Sequence, residues 1–132
     1  MATEHPARTA SKCSMGAVER KAKDEWLALF ADDAIVEDPV GMSVLDPEGK
    51  GYRGKNEISA FWDRNIEPNT VRFDIHHSYA AGNEVANTGT ITTTMQNGME
   101  ATVEGTFVYK VNEAGKLVSL RAFWEVDKLR LT

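Results

Sequence analysis

Hydrophobic residues recur at two spacings along the chain, a helical spacing first and an alternating one later. Over residues 14–23, apolar side chains return every three or four positions, which predicts an amphipathic helix. A second short helix is expected from an N-cap at Asp24, with its buried side formed by Trp26, Leu27, Leu29 and Phe30. Residues 55–65 show the helical spacing again and predict a third helix that ends near Pro68.

From residue 71 onward the apolar positions fall on every second residue, which is the pattern of β-strands. Residues 84–95 are rich in β-branched side chains, and Asn97-Gly98 predicts a hairpin turn. Further strands are expected over residues 101–109 and 117–126, and a short strand over 34–38 precedes a glycine-rich loop. Three helices and a long antiparallel meander predict an α+β domain, with helices covering one face of a strongly curved, mainly antiparallel sheet.

The length of 132 residues is typical of one domain. Residues 1–12 are small, polar and aperiodic, so we expect a flexible N-terminal tail there and a single domain over residues 13–132. The apolar content of 42% is ordinary for a globular protein and allows a core with a modest cavity.

Charge and rare residue types exclude several classes of protein. The net charge of −5 argues against a nucleic-acid partner, which needs a basic surface to displace counterions. No apolar run approaches the roughly 18 residues of a membrane span, and the N-terminus lacks the apolar stretch of a secretion signal. Cys13 is the only cysteine, so an intrachain disulfide is excluded and a cytoplasmic location is expected. No metal-ligand spacing is present, and no metal is expected.

Asp38 is the candidate for chemistry that the local pattern favours. It lies in the segment Val36-Glu37-Asp38-Pro39-Val40-Gly41, between a predicted strand and a loop. The flanking apolar residues suggest partial burial, which raises the pKa of a carboxyl and makes it a usable base near neutrality. The alternative is a turn aspartate whose carboxylate accepts a backbone N–H, a common role before a turn.

Two segments carry a family resemblance. They are Leu29-Phe30-Ala31-Asp32-Asp33-Ala34-Ile35-Val36-Glu37-Asp38-Pro39-Val40-Gly41 and Gly115-Lys116-Leu117-Val118-Ser119-Leu120-Arg121-Ala122-Phe123-Trp124. Both resemble the bacterial Δ5-3-ketosteroid isomerases of the SnoaL-like, or nuclear-transport-factor-2-like, superfamily. The resemblance covers residues 15–130 and implies a cone-shaped fold around an apolar pocket, with no cofactor. It also implies that Asp38 moves a proton from steroid C4 to C6.

The chain departs from this family at the groups that stabilise the charged ketone oxygen. Family isomerases use a tyrosine from the first helix and a protonated aspartic acid from a central strand. The matching positions of this chain hold Ser14 and Gly105. Loss of one such donor costs about 2.7–4 kcal/mol, so slow catalysis is expected. Tyr109 lies on the same predicted strand face and could donate instead, or it could be a core aromatic, whereas Glu104 should point to the other face.

The implied pocket would be lined by aromatic and aliphatic residues on converging faces, namely Trp26, Phe30, Phe61, Val103, Leu120 and Trp124. A steroid or a similar polycyclic ketone is the expected ligand. A non-catalytic carrier of hydrophobic ligands is one alternative, and a polyketide-cyclase-like or epoxide-hydrolase-like enzyme on the same scaffold is another. The retained Asp38 favours proton transfer, whereas the missing donors favour binding alone.

Other reactive side chains are weaker candidates. Arg72 and Asp74 could form an epoxide-opening pair, but strand alternation places both on the outer face. Of His76 and His77, one should face inward and could act as a base, unless the two form a surface pair. Cys13 lacks a histidine partner in the sequence, which argues against a nucleophile.

The residues on the outer face of the sheet predict that two copies of the chain pair there. It carries short side chains that would let two sheets approach each other, at Thr88, Thr90, Thr92 and Thr94. Members of the family that the chain resembles commonly pair through this face. A homodimer is therefore expected.

Overall fold

The computed structural model describes residues 4–132, and residues 1–3 lie outside the part that it describes. Three helices, α1 (Pro6–Arg20), α2 (Lys23–Ala28) and α3 (Gly54–Asn65), pack on one face of a curved sheet. The strands are β1 (Phe30–Glu37), β2 (Tyr52–Arg53), β3 (Thr70–Ala81), β4 (Glu84–Thr94), β5 (Glu100–Val111), β6 (Leu117–Phe123) and β7 (Arg130–Leu131), with a 3₁₀ turn at Val126–Lys128. Within residues 4–132, no helix combines the length and the apolar character needed to cross a membrane.

The sheet is mixed, with the strand order β2-β1-β6-β5-β4-β3 and β7 beside β5. β1 and β6 run parallel, and the other pairings among the described residues are antiparallel. The expected α+β fold, with helices covering a strongly curved and mainly antiparallel sheet, is confirmed. Because β1 and β6 are parallel, with Glu37 beside Arg121, the chain leaves both strands at the same edge of the sheet.

A crease crosses the sheet where a bulge in β3 meets two glycines. The register of β3 against β4 shifts between Ile75 and His77, and Gly89 of β4 pairs with Gly105 of β5. A Cβ atom at either glycine would overlap a backbone carbonyl oxygen of the neighbouring segment. Since the backbones approach so closely, only glycine fits here, and the sheet can bend around the helices.

The same bulge decides how the histidine pair is oriented. Strand alternation would turn one of two adjacent residues inward, yet both His76 and His77 are exposed. His77 stacks on Tyr79 with ring centroids 6.3 Å apart. The extra residue of the bulge interrupts the alternation, so the surface-pair alternative holds and neither imidazole reaches the interior.

Helix α1 begins at Pro6, so the expected flexible tail over residues 1–12 is wrong for residues 6–12. Proline suits the first helical position, and the His5 side chain accepts the Ala7 backbone N–H at 3.1 Å. The Arg8 Nε donates to the Ser78 hydroxyl of β3 at 2.9 Å. The buried residues of this first turn are small alanines, which give little periodic hydrophobic signal, so tertiary packing decides where the helix begins.

Helix α2 also begins differently from the prediction. Its N-cap is Ala22, and Asp24, the expected cap, lies in the first turn. Trp26 is buried in an aromatic cluster, with ring centroids 4.8 Å from Phe30 of β1 and 5.2 Å from Trp62 of α3. This cluster joins two helices to the sheet and gives the core its bulkiest contacts.

Candidate functional site

The helices and the inner face of the sheet enclose a cavity of about 640 Å³. This volume lies within the range of pockets that bind small organic molecules. The walls are mainly apolar, and apart from Thr93 and the two tryptophans the polar side chains belong to two groups. One group contains Ser14, Asp38 and Tyr109, and the other contains Asn65, Asn69, Gln96 and Asn97. Such a cavity suits a rigid apolar ligand with a small number of polar atoms.

Asp38 is placed by the parallel pairing of β1 with β6. It follows Glu37, the last residue of β1, and the Arg121 Nε of β6 donates to the Glu37 carboxylate at 2.9 Å. Two residues beyond Asp38, the Val40 N–H donates to the Ala122 carbonyl at 2.9 Å. These contacts fix the backbone on both sides of Asp38, whose half-buried carboxylate lines the cavity.

Trp124 holds the Asp38 carboxylate directly. Its indole Nε1 donates to Oδ1 of Asp38 at 2.7 Å. The two residues are adjacent because each follows the end of one of the two parallel strands. The sequence analysis assigned Trp124 to the pocket wall, where it lies, but missed this hydrogen bond between residues 86 positions apart.

The environment of Asp38 raises its pKa to about 6. Burial among protein atoms is the main cause, because it disfavours the charged form of the carboxyl. The hydrogen bond from Trp124 opposes this effect by stabilising the carboxylate. At neutral pH the group is therefore ionised, yet it is a stronger base than an ordinary surface aspartate.

The other two members of the first polar group, Ser14 and Tyr109, lie where α1, α2 and β5 meet. Ser14 of α1 is fully buried, and its hydroxyl oxygen accepts the Trp26 Nε1–H at 3.1 Å. Tyr109 of β5 is also buried, and burial raises the pKa of its phenol well above the ordinary value. The negative charge of Asp38 raises the pKa of Tyr109 further, and the Ser14 hydroxyl works in the opposite direction. The phenol therefore keeps its proton and can act as a donor.

The sequence analysis matched Gly105 with the position of the family's aspartic-acid donor, and the structure does not fit a donor there. A side chain there would overlap the Phe123 carbonyl oxygen and press on the Trp124 Cβ. Gly105 also lies outside the set of residues that line the cavity. This glycine belongs to the crease of the sheet, so a carboxyl introduced at residue 105 would have no free path to a ligand.

Five of the six predicted pocket residues line the cavity, namely Trp26, Phe61, Val103, Leu120 and Trp124. Phe30 is the exception. It is buried in the core, where it packs edge-to-face against Trp26 with an interplanar angle of 70°. Phe30 supports the wall from behind instead of forming it.

The weaker candidates lie away from the cavity. Arg72, Asp74 and Glu104 are exposed on the outer face of the sheet, and Cys13 is exposed on α1. The Asp74 carboxylate faces the His76 imidazole at 3.5 Å, so it forms no inward epoxide-opening pair with Arg72. Within residues 4–132, no group of three or more His, Cys, Asp or Glu side chains is arranged to hold a metal ion.

The amide-bearing cavity residues were missed by the sequence analysis. Asn65 and Asn69 lie at the end of α3 and beyond it, and Gln96 and Asn97 lie in the β4–β5 hairpin. The Asn65 Nδ2 donates to the Phe61 carbonyl at 3.1 Å, and the Asn69 Nδ2 donates to the Asn65 carbonyl at 2.9 Å. Such residues are common at helix ends and turns for local reasons, so the sequence carries no separate signal for a cavity role.

Solved structures with the same architecture match the whole chain. The Δ5-3-ketosteroid isomerase from Mycobacterium sp. is 40% identical with a TM-score of 0.94, over 98% of this chain and 100% of that one. RV0760c from Mycobacterium tuberculosis, in complex with estradiol-17β-hemisuccinate, is 33% identical with a TM-score of 0.92, over 96% and 99% of the two chains. A computationally designed 17-OHP binder is 30% identical with a TM-score of 0.94, over 98% and 100%.

More distant structures share the fold alone. An LEH-like epoxide hydrolase from M. tuberculosis and the epoxide hydrolase/cyclase-like enzyme SalBIII are each 20% identical, with TM-scores of 0.77 and 0.80. Among curated protein sequences, none matches the chain significantly.

The SnoaL-like domain model matches residues 14–120, which is most of the chain. The chain therefore belongs to the SnoaL-like family of the nuclear-transport-factor-2-like superfamily, and its fold is that of the ketosteroid isomerases.

Proposed function

We propose that this protein binds a steroid or a similar polycyclic ketone and transfers a proton within it, with Asp38 as the general base. The observation that carries the proposal is the single carboxylate, that of Asp38, at the wall of an apolar cavity. Its pKa is raised to about 6, and it accepts a hydrogen bond from Trp124. A carboxylate in that state is suited to remove a weakly acidic C–H proton.

The reaction that fits is the conversion of a β,γ-unsaturated ketone to its conjugated isomer. Asp38 takes a proton from the carbon between the ketone and the double bond, and the C–H electrons form a dienolate whose charge rests on the ketone oxygen. The carboxyl then returns the same proton to the γ carbon, and the carbonyl re-forms. Proton and electrons balance within one substrate, so no co-reactant is needed.

The ligand class follows from the walls of the cavity and from the relatives. Aromatic and aliphatic side chains dominate the lining, so shape and apolar area select the ligand. The 33% identical relative is in complex with a steroid derivative, and the 30% identical one is a designed binder of 17-OHP. Both support a steroid-like ligand for this chain.

Turnover should be slower than in the efficient enzymes of the family. The helix position that would carry the family's tyrosine holds Ser14, and none of the β5 residues that line the cavity carries a carboxyl. Each lost donor costs about 2.7–4 kcal/mol of transition-state stabilisation.

The test measures isomerisation of a Δ5-3-ketosteroid through the absorbance of the conjugated product. Asp38→Asn should lower kcat by about 10²–10⁴-fold, because the amide cannot accept the proton. Asp33→Asn, which changes an exposed residue of β1, is the matched control and should retain activity. An Asp38→Asn variant with undiminished activity would show that the base lies elsewhere.

A non-catalytic carrier of hydrophobic ligands is the second candidate, and the missing family donors favour it. It predicts saturable steroid binding by the wild-type protein without turnover. For the epoxide-opening alternative, the exposed positions of Arg72 and Asp74 are unfavourable. We also propose pairing of two copies through the outer face of the sheet and a cytoplasmic location.

A further inference from the structure

We infer that Tyr109 donates the hydrogen bond that stabilises the ketone oxygen of the ligand, and that Ser14 and Trp26 position its hydroxyl. This inference rests on the proposed function and deepens it. It places the donor on strand β5 instead of helix α1, where the family carries its tyrosine.

Strand geometry fixes the Tyr109 ring. Tyr109 lines the cavity together with Phe107 and Val103 of β5, which lie at alternating positions of the strand. It pairs with Val85 of β4 on one side and with Leu120 of β6 on the other. A buried side chain between two paired strands has little freedom, so its hydroxyl is preorganised.

The direction of the hydrogen bonds follows from the chemistry of the three groups. An indole N–H can only donate, so the Ser14 oxygen is the acceptor in its 3.1 Å contact with Trp26. In the inferred arrangement the Ser14 hydroxyl hydrogen, which the Trp26 contact leaves free, is donated to the phenol oxygen of Tyr109, the side chain whose pKa Ser14 lowers. Because that oxygen acts as an acceptor, the Tyr109 hydrogen remains available for a third group, and a ligand in the cavity can supply it.

The charges of the site agree with this role. The carboxylate of Asp38 raises the pKa of Tyr109, which shows that the two groups influence each other electrostatically. When Asp38 takes a proton from the ligand, the negative charge moves to the ligand oxygen. The Tyr109 donor then faces an anion, and the Ser14 donor strengthens it by polarising the phenol.

The kinetic expectation concerns kcat more than KM, since the donor acts where charge develops. Tyr109→Phe should lower kcat by about 10²–10³-fold with little change in KM. Ser14→Ala keeps the Tyr109 donor itself but removes its support and the acceptor of the Trp26 N–H, so a smaller loss in the same direction is expected. Tyr79→Phe changes an exposed tyrosine of β3 and is the matched control.

A spectroscopic readout separates donation from a structural role. The probe is a steroid whose first two rings form a naphthol, because the fluorescence of the neutral and ionised naphthol differs. Measurements use the Asp38→Asn background, in which no carboxylate repels a bound anion. We expect a substantial ionised fraction in this background, a fall of about tenfold or more on adding Tyr109→Phe, an intermediate fall on adding Ser14→Ala, and no change on adding Tyr79→Phe.

The outcomes distinguish the inference from the function on which it rests. Equal binding and equal ionisation with and without Tyr109→Phe would overturn the role of Tyr109 and leave Asp38 as the proposed base. Loss of kcat in Tyr109→Phe without a change in bound ionisation would also overturn it, because that pattern indicates a structural effect. Absence of saturable binding of the naphthol and of 3-ketosteroids would contradict the proposed function, and the role of Tyr109 with it.

Discussion

The two tryptophans of the cavity each donate their single N–H to an oxygen of the site. Trp124 donates to Asp38 and Trp26 donates to Ser14. Each indole thereby combines apolar wall with one directed hydrogen bond, so the polar groups stay oriented without bringing water into the cavity. The site thus rests on a small number of side chains whose roles can be separated by single substitutions.

At the residue scale, the pH dependence of activity should follow the ionisation of the Asp38 carboxyl. We expect kcat/KM to rise with pH through a midpoint near 6, since the base must be ionised. Trp124→Phe removes the hydrogen bond that lowers this pKa, so the midpoint should move upward by about one pH unit. Steady-state rates between pH 4 and 9 measure it. A midpoint that stays in place would show that Trp124 does not act on the base.

The raised pKa of Asp38 also predicts how the stability of the protein depends on pH. Its folded pKa of about 6 lies above the ordinary value of 3.8, so the folded state binds the proton more tightly than the unfolded state. Well below pH 3.8 the carboxyl is protonated in both states and does not affect the free energy of unfolding. As pH rises from 3.8 to 6 the unfolded state ionises first, so the folded state loses stability until pH passes 6. Asp38→Asn should therefore raise the free energy of unfolding at pH 7 by about 2–3 kcal/mol.

Urea unfolding of the Asp38→Asn variant and the wild-type protein at two pH values measures this effect. The gain should shrink toward pH 4, because the wild-type carboxyl is then neutral as well. A variant that is less stable than the wild type at pH 7 would mean that the carboxylate stabilises the fold. Together with loss of activity, the expected gain would mark Asp38 as a residue retained for function.

At the scale of single elements, the crease of the sheet makes the cavity possible. Gly105→Ala should destabilise the protein by more than about 3 kcal/mol, because the added Cβ meets backbone that cannot move aside. Gly16→Ala is the matched control. It lies within α1, where the nearest atom to an added Cβ is the Arg20 side chain at 3.9 Å, and alanine should stabilise the helix by about 1 kcal/mol. Equal stabilities of Gly105→Ala and wild type in urea would contradict the crease.

The elements also show which features the sequence could predict. Helix α3 and strands β3 to β6 were predicted because their faces differ in polarity and their turns carry Asn-Gly or a similar signal. The start of α1 was missed because its buried side chains are small, two alanines and a serine. The orientation of the two histidines stayed open between two alternatives, because a bulge leaves no mark in the alternation. The Asp38–Trp124 hydrogen bond depends on the parallel pairing of β1 with β6, a long-range contact that local pattern does not contain.

At the scale of the whole molecule, the tryptophans report on ligand binding. Trp26 and Trp124 line the cavity, whereas Trp62 is buried in the core and does not. A 3-ketosteroid should change the fluorescence saturably, and Trp124→Ala should weaken binding by about 1–3 kcal/mol, the contribution of a buried aromatic contact. Trp62→Phe should retain the response. No saturable change with any of several steroids would contradict the proposed ligand class.

The outer face of the sheet supports the last prediction, which concerns assembly. This face presents short threonine side chains on β4 and two exposed aromatic residues, Tyr79 of β3 and Phe123 of β6, which are 66% and 42% exposed. The Arg121 guanidinium lies 5.2 Å from the centroid of the Phe123 ring. A surface of small side chains with exposed aromatic rings can approach a second copy closely, and a stable interface needs roughly 800 Å² from each partner. We expect a mass near twice 14.6 kDa by light scattering at micromolar concentration.

Two lysines on this face should separate the copies, because pairing would bury their charges without partners. The variant Thr88→Lys with Thr106→Lys, two half-buried positions that face each other on β4 and β5, is therefore expected to return a mass near 14.6 kDa while keeping its fold. Glu113→Lys, in the exposed turn between β5 and β6, is the control for added positive charge and should leave the dimer intact. A wild-type mass near 14.6 kDa would reject the dimer. A dimer that persists in the lysine variant would place the interface on another surface.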